Sequence, residues 1–154
     1  KKLDCYRVLN TAPALNINPS LIQETDLLVM NESELENLSR KKIRDDELGS
    51  ILIALNELQL NKNQSAIITL GAKGVYVYKD QKSSFIEGHK VDAVDSTGSG
   101  DCFIGALASH YLKNEDLLEA AHFANKAGAL SVTKKGASAS MPTLEEVVNF
   151  EQIT

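Results

Sequence analysis

Apolar positions along the chain fall into short continuous runs separated by stretches with helical spacing. Cys5–Leu9, Leu27–Met30 and Ala66–Leu70 are compact apolar runs bounded by turn-forming residues, the mark of strands buried on both faces. Asn10-Thr11-Ala12-Pro13 ends the first run, and Asn31, with Ser33-Glu34-Leu35 opening a short helix, follows the second. Between Asp45 and Leu60, apolar residues at 48, 51, 52, 55 and 58 line one face of a helix. Val75–Tyr78 and Ser84–Ile86 flank the polar Lys79–Ser83 and predict an antiparallel hairpin. Gly100–Leu112 and Asp116–Val132 carry helical periodicity, and alanines at 120, 121, 124, 127 and 129 predict close packing for the second. Pro142 and the capping box Thr143-Leu144-Glu145-Glu146 open a last helix. Buried runs alternating with helices predict an α/β fold, a mostly parallel sheet covered on both faces. With no repeat, low-complexity tract or linker, the 154 residues read as one unit.

Composition narrows the functional classes. A formal charge of −5, with no basic run interleaved with aromatics, argues against nucleic acid as a partner. Lys41–Arg44 is short and runs straight into Asp45, Asp46 and Glu47, which reads as a solvated helix start. Cys5 and Cys102 show no metal-ligand spacing and no disulfide framework. No stretch reaches the ~18 apolar residues of a membrane span, and no leader pattern precedes the first strand, so a cytoplasmic location is expected. Lys1-Lys2-Leu3 runs directly into a strand without an initiator Met, which suits a segment of a longer chain.

The most informative segment is Asp95-Ser96-Thr97-Gly98-Ser99-Gly100-Asp101, directly before an apolar-periodic helix. Glycines at a helix start let backbone N–H groups converge, and the helix dipole adds positive potential, together forming a seat for an anion such as a phosphoryl group. Asp101 there has two readings: a carboxylate favoured at a helix N-terminus, or a general base beside a phosphate. Asn31 and Glu34 likewise stand at capping-box spacing.

Asp-x-Thr-Gly-x-Gly-Asp opening a helix resembles the C-terminal signature of the ribokinase family of carbohydrate kinases. Further segments follow in that family's order. Asn31-Glu32-Ser33-Glu34 is similar to its Asn-x-x-Glu motif. Thr69-Leu70-Gly71-Ala72-Lys73-Gly74 is similar to its nucleotide-binding turn, and Lys134-Lys135-Gly136-Ala137-Ser138 with Ser140 to its late cation loop. Asn10-Thr11-Ala12-Pro13-Ala14 is close to the Asn-Pro-Ala-Pro-Ala of its ribose-phosphorylating members, with Thr11 in place of the first proline. The resemblance runs from about Val8 to Phe150 and takes in Gly71, Gly74, Gly98, Gly100 and Gly136.

The resemblance implies the ATP-binding and catalytic C-terminal half of a ribokinase-like fold, residues 1–154, with the sugar-gripping and lid half absent. It implies ATP-dependent phosphorylation of a sugar hydroxyl, D-ribose before adenosine or fructose 6-phosphate. The alternatives are another sugar or nucleoside acceptor, or a non-catalytic nucleotide-binding remnant. Asp101 would be the base, with the N–H groups of Gly98, Ser99 and Gly100 as anion hole. Asn31, Thr69, Leu70, Gly71, Ala72, Lys73, Gly74, Gly100, Asp101 and Asn125 would bind ATP, and Glu34 would act on Mg2+ through water. Asp95, the Thr97 carbonyl, carbonyls near Ser131, Lys134 and Gly136, and the Ser140 hydroxyl would hold K+, although Asp95 could instead only satisfy loop N–H groups. Ser96 departs from a more usual Thr but keeps a hydroxyl. A homodimer is implied for the full-length protein. His89, His110 and His122 have no clustered partners, and Tyr76, Tyr78 and Tyr111 read as packing residues.

Overall fold

The computed structural model describes residues 5–13, 17–44 and 48–150. Ala14 and the start of the helix expected from Asp45 lie outside these. The strands are β1 (Val8–Asn10), β2 (Leu27–Asn31), β3 (Ser65–Thr69), β4 (Gly74–Lys79) and β5 (Lys82–Glu87). The helices are α1 (Pro19–Gln23), α2 (Glu32–Ser39), α3 (Leu48–Glu57), α4 (Ser99–Asn114), α5 (Leu117–Ser131) and α6 (Leu144–Val148). The five strands lie in one sheet in the order β1-β2-β3-β4-β5. β1–β2 and β2–β3 are parallel, with Leu28 opposite Ala66 and Met30 opposite Ile68. β3 to β4 and β4 to β5 are joined by connections too short for a parallel crossover, so the sheet is mixed.

The chain forms two compact units, which the lack of a linker did not signal: Lys1–Leu70 with Tyr76–Ser84, and Gly71–Val75 with Phe85–Thr154. In the first, one face of β2 and β3 (Leu28, Met30, Ala66, Ile68) packs with Ile22 of α1, Leu35 of α2, and Ile51, Ala54 and Leu55 of α3. The alternate residues Leu27, Val29 and Ile67 are also at 2% exposure or less, which explains why these strands read as unbroken apolar runs. Fully burying one such side chain contributes about 1.5–3 kcal/mol. The bidentate Arg7–Asp26 pair at the sheet edge is partly exposed and screened by solvent, so it adds little. Burial of β2 and β3 therefore dominates.

In the second unit, α4 and α5 pack against each other, and α5 presents Ala120, Ala121 and Ala124 at 0% exposure. Cys102, Ala127 and Val147 form a smaller apolar cluster there with Ala106, Phe123 and Leu130. Asp116 caps α5 by accepting from the amides of Leu118 and Glu119, and Thr143 and Glu146 complete the expected capping box of α6.

The largest departures from the sequence reading are one strand, the hairpin turn and one unread helix. The first strand is Val8–Asn10 rather than Cys5–Leu9, because Cys5 and Tyr6 are exposed on an edge segment whose amide at Arg7 goes to the Asp26 carboxylate. The hairpin turns on Asp80 and Gln81 alone, both at positive φ, so Lys79, Lys82 and Ser83 belong to its strands. Helix α1, five residues behind an Asn18 cap and Pro19, was too short for its periodicity to register.

Candidate functional site

Gly98 is the N-cap of α4 at φ 78°, a left-handed conformation that favours glycine. A Cβ there would lie 3.1 Å from the Ala137 Cβ, so the loop before α4 and the 136–140 segment approach closely. Among the described residues, nothing beyond its chain neighbours and its own helix backbone lies within 4 Å of where a Gly100 Cβ would stand, and its φ is ordinary. Neither backbone strain nor protein packing requires glycine at 100, which leaves that surface open to a ligand. The Ser99 amide, expected in the anion hole, donates instead to Ser96 O at 3.1 Å, closing a tight turn before the helix. Among the described residues, the amides of Gly98, Gly100 and Asp101 have no partner, so these three remain free to receive an anion.

Asp101 is exposed in the first turn of α4, and its carboxylate accepts no hydrogen bond among the described residues. It does not cap the helix by side-chain bonding. Cys102 beside it is buried and donates to Ala127 O at 3.5 Å, and burial pushes its thiol up, so it stays protonated.

Asp95 ties two expected cation segments together. Its Oδ1 accepts from the Thr97 hydroxyl at 2.6 Å and the Thr97 amide at 3.0 Å, and its Oδ2 accepts from the Gly136 amide at 2.9 Å. These bonds, the Thr97 hydroxyl foremost, hold its carboxyl at about 2. Satisfying loop N–H groups is thus a role it does fill. The Val94 and Asp95 amides both donate to Val132 O. Ser131 and Ser140 are 1% exposed, and their hydroxyls donate to Gly128 O and Ala137 O at 2.8 Å, leaving acceptor lone pairs over. The Lys134 ammonium goes to Glu146 at 2.7 Å. Among the described residues no group of three or more His, Cys, Asp or Glu could hold a metal. A cation at 95–97 and 131–140 would therefore be held by carbonyl and hydroxyl oxygens with one carboxylate, a donor set that fits a weakly charged ion.

In the first unit, Asn31 caps α2 and forms a full capping box with Glu34: the Glu34 amide donates to Asn31 Oδ1 and the Asn31 amide to Glu34 Oε2, both at 2.9 Å. Glu34 is 8% exposed, and its Oε2 also accepts from the Thr11 hydroxyl at 3.1 Å. Among the described residues its Oε1 has no partner, and no unbonded side-chain oxygen there is sealed from solvent, so Oε1 is open to water. One oxygen caps the helix while the other stays free, which fits a carboxylate acting on a hydrated, hard cation.

Thr69 ends β3, Leu70 is buried after it, and Gly71–Lys73 form an exposed 3-10 turn leading into β4. Gly71 and Gly74 have φ of 57° and 121°. A Cβ on Gly74 would meet Ile86 O at 2.0 Å, and one on Gly88 would meet Ala72 O at the same distance, while the Gly88 amide donates to Lys73 O. Asn125, 7% exposed on α5, donates to Glu87 O at 2.9 Å.

Two contributors escaped sequence reading. Thr11 showed only as a departure from a motif, and its partner Glu34 is 23 positions away. Gly88 stood in no motif, although glycine beside a strand end was its one available signal. Of the three histidines, His110 stacks on Phe123 and His89 meets Phe150 edge-on, while His122 is exposed.

Comparison with known proteins follows this pattern. The model of the pfkB family carbohydrate kinases matches residues 2–144. A ribokinase from Haemophilus influenzae is 38% identical over 150 residues, which are 97% of this chain and 48% of that protein. A ribokinase from Staphylococcus aureus is 42% identical over 141 residues, 91% of this chain and 46% of its own. A deoxyribokinase from Salmonella typhi is 34% identical over 147 residues, covering 95% and 47%. The ribokinase structure from Thermotoga maritima superposes with a TM-score of 0.82 at 34% identity, over 96% of this chain and 49% of that one. Arabidopsis thaliana ribokinase complexed with ribose and ATP gives 0.81 at 26% identity, over 94% and 47%. The fold is ribokinase-like, and the chain spans about half the length of the relatives it matches.

Proposed function

We propose, because the chain belongs to the pfkB family of carbohydrate kinases, that it is the ATP-binding and catalytic part of a kinase that phosphorylates a sugar hydroxyl, that of D-ribose before others. The observation that carries this reading is Asp101: exposed, without a side-chain partner, and beside three unpartnered amides at the start of α4. Its carboxylate would take the proton of a primary sugar hydroxyl as that oxygen bonds to the γ-phosphorus of ATP. The bond from phosphorus to the β,γ-bridging oxygen breaks, and its electron pair leaves on ADP. The amides of Gly98, Gly100 and Asp101 would hold charge on the transferring group, so positioning and electrostatics supply most of the acceleration.

Thr69, Leu70, Gly71, Ala72, Lys73 and Gly74 would line the nucleoside, where Gly71 and Gly74 permit close backbone approach. Asn125 would stand near the adenine, its orientation fixed by Glu87 O. Asn31 would reach the phosphates, and the free Oε1 of Glu34 would hold a water of the Mg2+ shell. Mg2+, when bound, neutralises phosphate charge. Asp95, Thr97, Ser131, Lys134, Gly136 and Ser140 would form a K+ site, in which the Asp95 bonds keep the loop ahead of Gly98 in shape.

Ribose is favoured because the two ribokinases, at 38% and 42% identity, exceed the 34% of the deoxyribokinase. A cytoplasmic location and a homodimer complete the reading. The test is ATP turnover by the full-length protein on ribose, 2-deoxyribose, fructose and adenosine. Ribose should give the highest kcat/KM; a higher value for any other acceptor overturns the specificity, and no turnover on the whole panel overturns the function.

A further inference from the structure

We propose that Thr11 is a positioning residue for divalent-cation binding, its hydroxyl fixing the Glu34 carboxylate so that Oε1 is presented outward. This rests on the reading of Glu34 given above. Thr11 follows β1, and its amide donates to Val29 O at 3.1 Å, so the β1–β2 pairing anchors its backbone. At 1% exposure its hydroxyl is cut off from water and must donate within the protein. It donates to Glu34 Oε2, the oxygen that already accepts from the Asn31 amide.

The capping box does not need this bond, since both its reciprocal hydrogen bonds run between Asn31 and Glu34. What the hydroxyl adds is a second direction of restraint on one oxygen. The terminal torsion of a glutamate is broad and roughly two-fold, so a carboxylate held by a single donor can pivot. Held by the Asn31 amide at the end of β2 and by the Thr11 hydroxyl just after β1, it cannot pivot without breaking one of them. Oε1, without a partner among the described residues, is then offered in one orientation. Thr11 stands where the resembling motif has proline, which has neither a hydroxyl nor an N–H, so this restraint is a property of the present sequence.

The test is the Mg2+ dependence of ADP binding to the full-length protein, followed calorimetrically at fixed ADP with rising Mg2+. Thr11→Val keeps the shape and removes the hydroxyl, and should raise the half-saturating Mg2+ about tenfold, the low end for partners that orient metal-site groups. ADP affinity without Mg2+ should not change. Thr11→Ser restores the hydroxyl and should stay within about twofold of wild type, which keeps the idea testable if the valine variant folds poorly. In a Glu34→Gln background the effect of Thr11→Val should vanish. An unchanged Mg2+ requirement in Thr11→Val, or a serine variant as impaired as the valine one, overturns the proposal. If Glu34→Gln itself leaves the Mg2+ requirement unchanged, the reading of Glu34 falls and this inference with it. If Glu34→Gln raises it and Thr11→Val does not, this inference alone fails.

Discussion

Replacing Asp101 by Asn separates its two readings, since the substitution keeps shape and removes only charge and basicity. Asp101 stands in the first turn of α4 with no side-chain hydrogen bond, so its contribution to stability comes through the helix dipole alone. At an exposed site that is ~0.3–1 kcal/mol. For a protein of this size such a loss lowers Tm by about 1–4 °C. If Asp101 is the base, kcat should fall by about 10²–10⁴. Each tenfold step is about 1.4 kcal/mol, so the barrier rises by ~2.7–5.5 kcal/mol, several times the stability term. The assay is ADP release by the full-length protein at saturating ribose and ATP, with ADP affinity and Tm measured on the same preparation. ADP affinity should stay within about threefold of wild type, because the amides of Gly98, Gly100 and Asp101 remain. A variant whose kcat per folded molecule is unchanged, with only the small drop in Tm, would refute the assignment of base and leave Asp101 as a dipole-complementing residue.

Activity of the full-length protein should rise when Na+ is replaced by K+ at constant ionic strength, because filling the 95–97 and 131–140 segments would order the loop before Gly98; equal rates in both salts would sink the K+ assignment. Asp95 has a carboxyl held at about 2 in the folded protein, below the ordinary 3.8, so the stability it supplies is present above pH ~4 and lost as the pH falls toward 2. In acid titration followed by circular dichroism, Asp95→Asn should remove part of that loss, and a variant with the wild-type acid profile would contradict the linkage. Gly88→Ala would set a Cβ 2.0 Å from Ala72 O; the strain, about 1–3 kcal/mol, should lower Tm by about 2–12 °C and weaken ADP binding through the 71–74 turn. Unchanged Tm and ADP affinity would show that the turn yields without cost.

The parts of the fold that could be read from sequence are those where a residue's own chemistry dictates its surroundings. Leu27–Met30 and Ala66–Ile68 are apolar without interruption because they are buried on both faces, so short apolar runs between turn-forming residues identified β2 and β3. Thr143 and Glu146 bond to each other three positions apart, and so do Asn31 and Glu34, which makes caps legible locally. β1 was displaced because an edge segment with Cys5 and Tyr6 in solvent carries no burial signal, and its register is set by pairing with β2.

The site divides along the same line. Glycines at positive φ, such as Gly71 and Gly98, mark backbone shapes that the sequence states directly. The bond of the Ser99 amide to Ser96 O could not be read in advance, because it depends on how the loop closes. Asp95 bonding to Gly136 spans 41 positions and Thr11 bonding to Glu34 spans 23, and neither residue's chemistry names its partner. Long-range hydrogen bonds of this kind orient groups whose identity the motifs already supply. Among the described residues, one oxygen of Glu34 and both oxygens of Asp101 are left without partners. In a folded protein a charged group left so is either solvated surface or an acceptor awaiting substrate, and the Asp101→Asn variant tells the two apart.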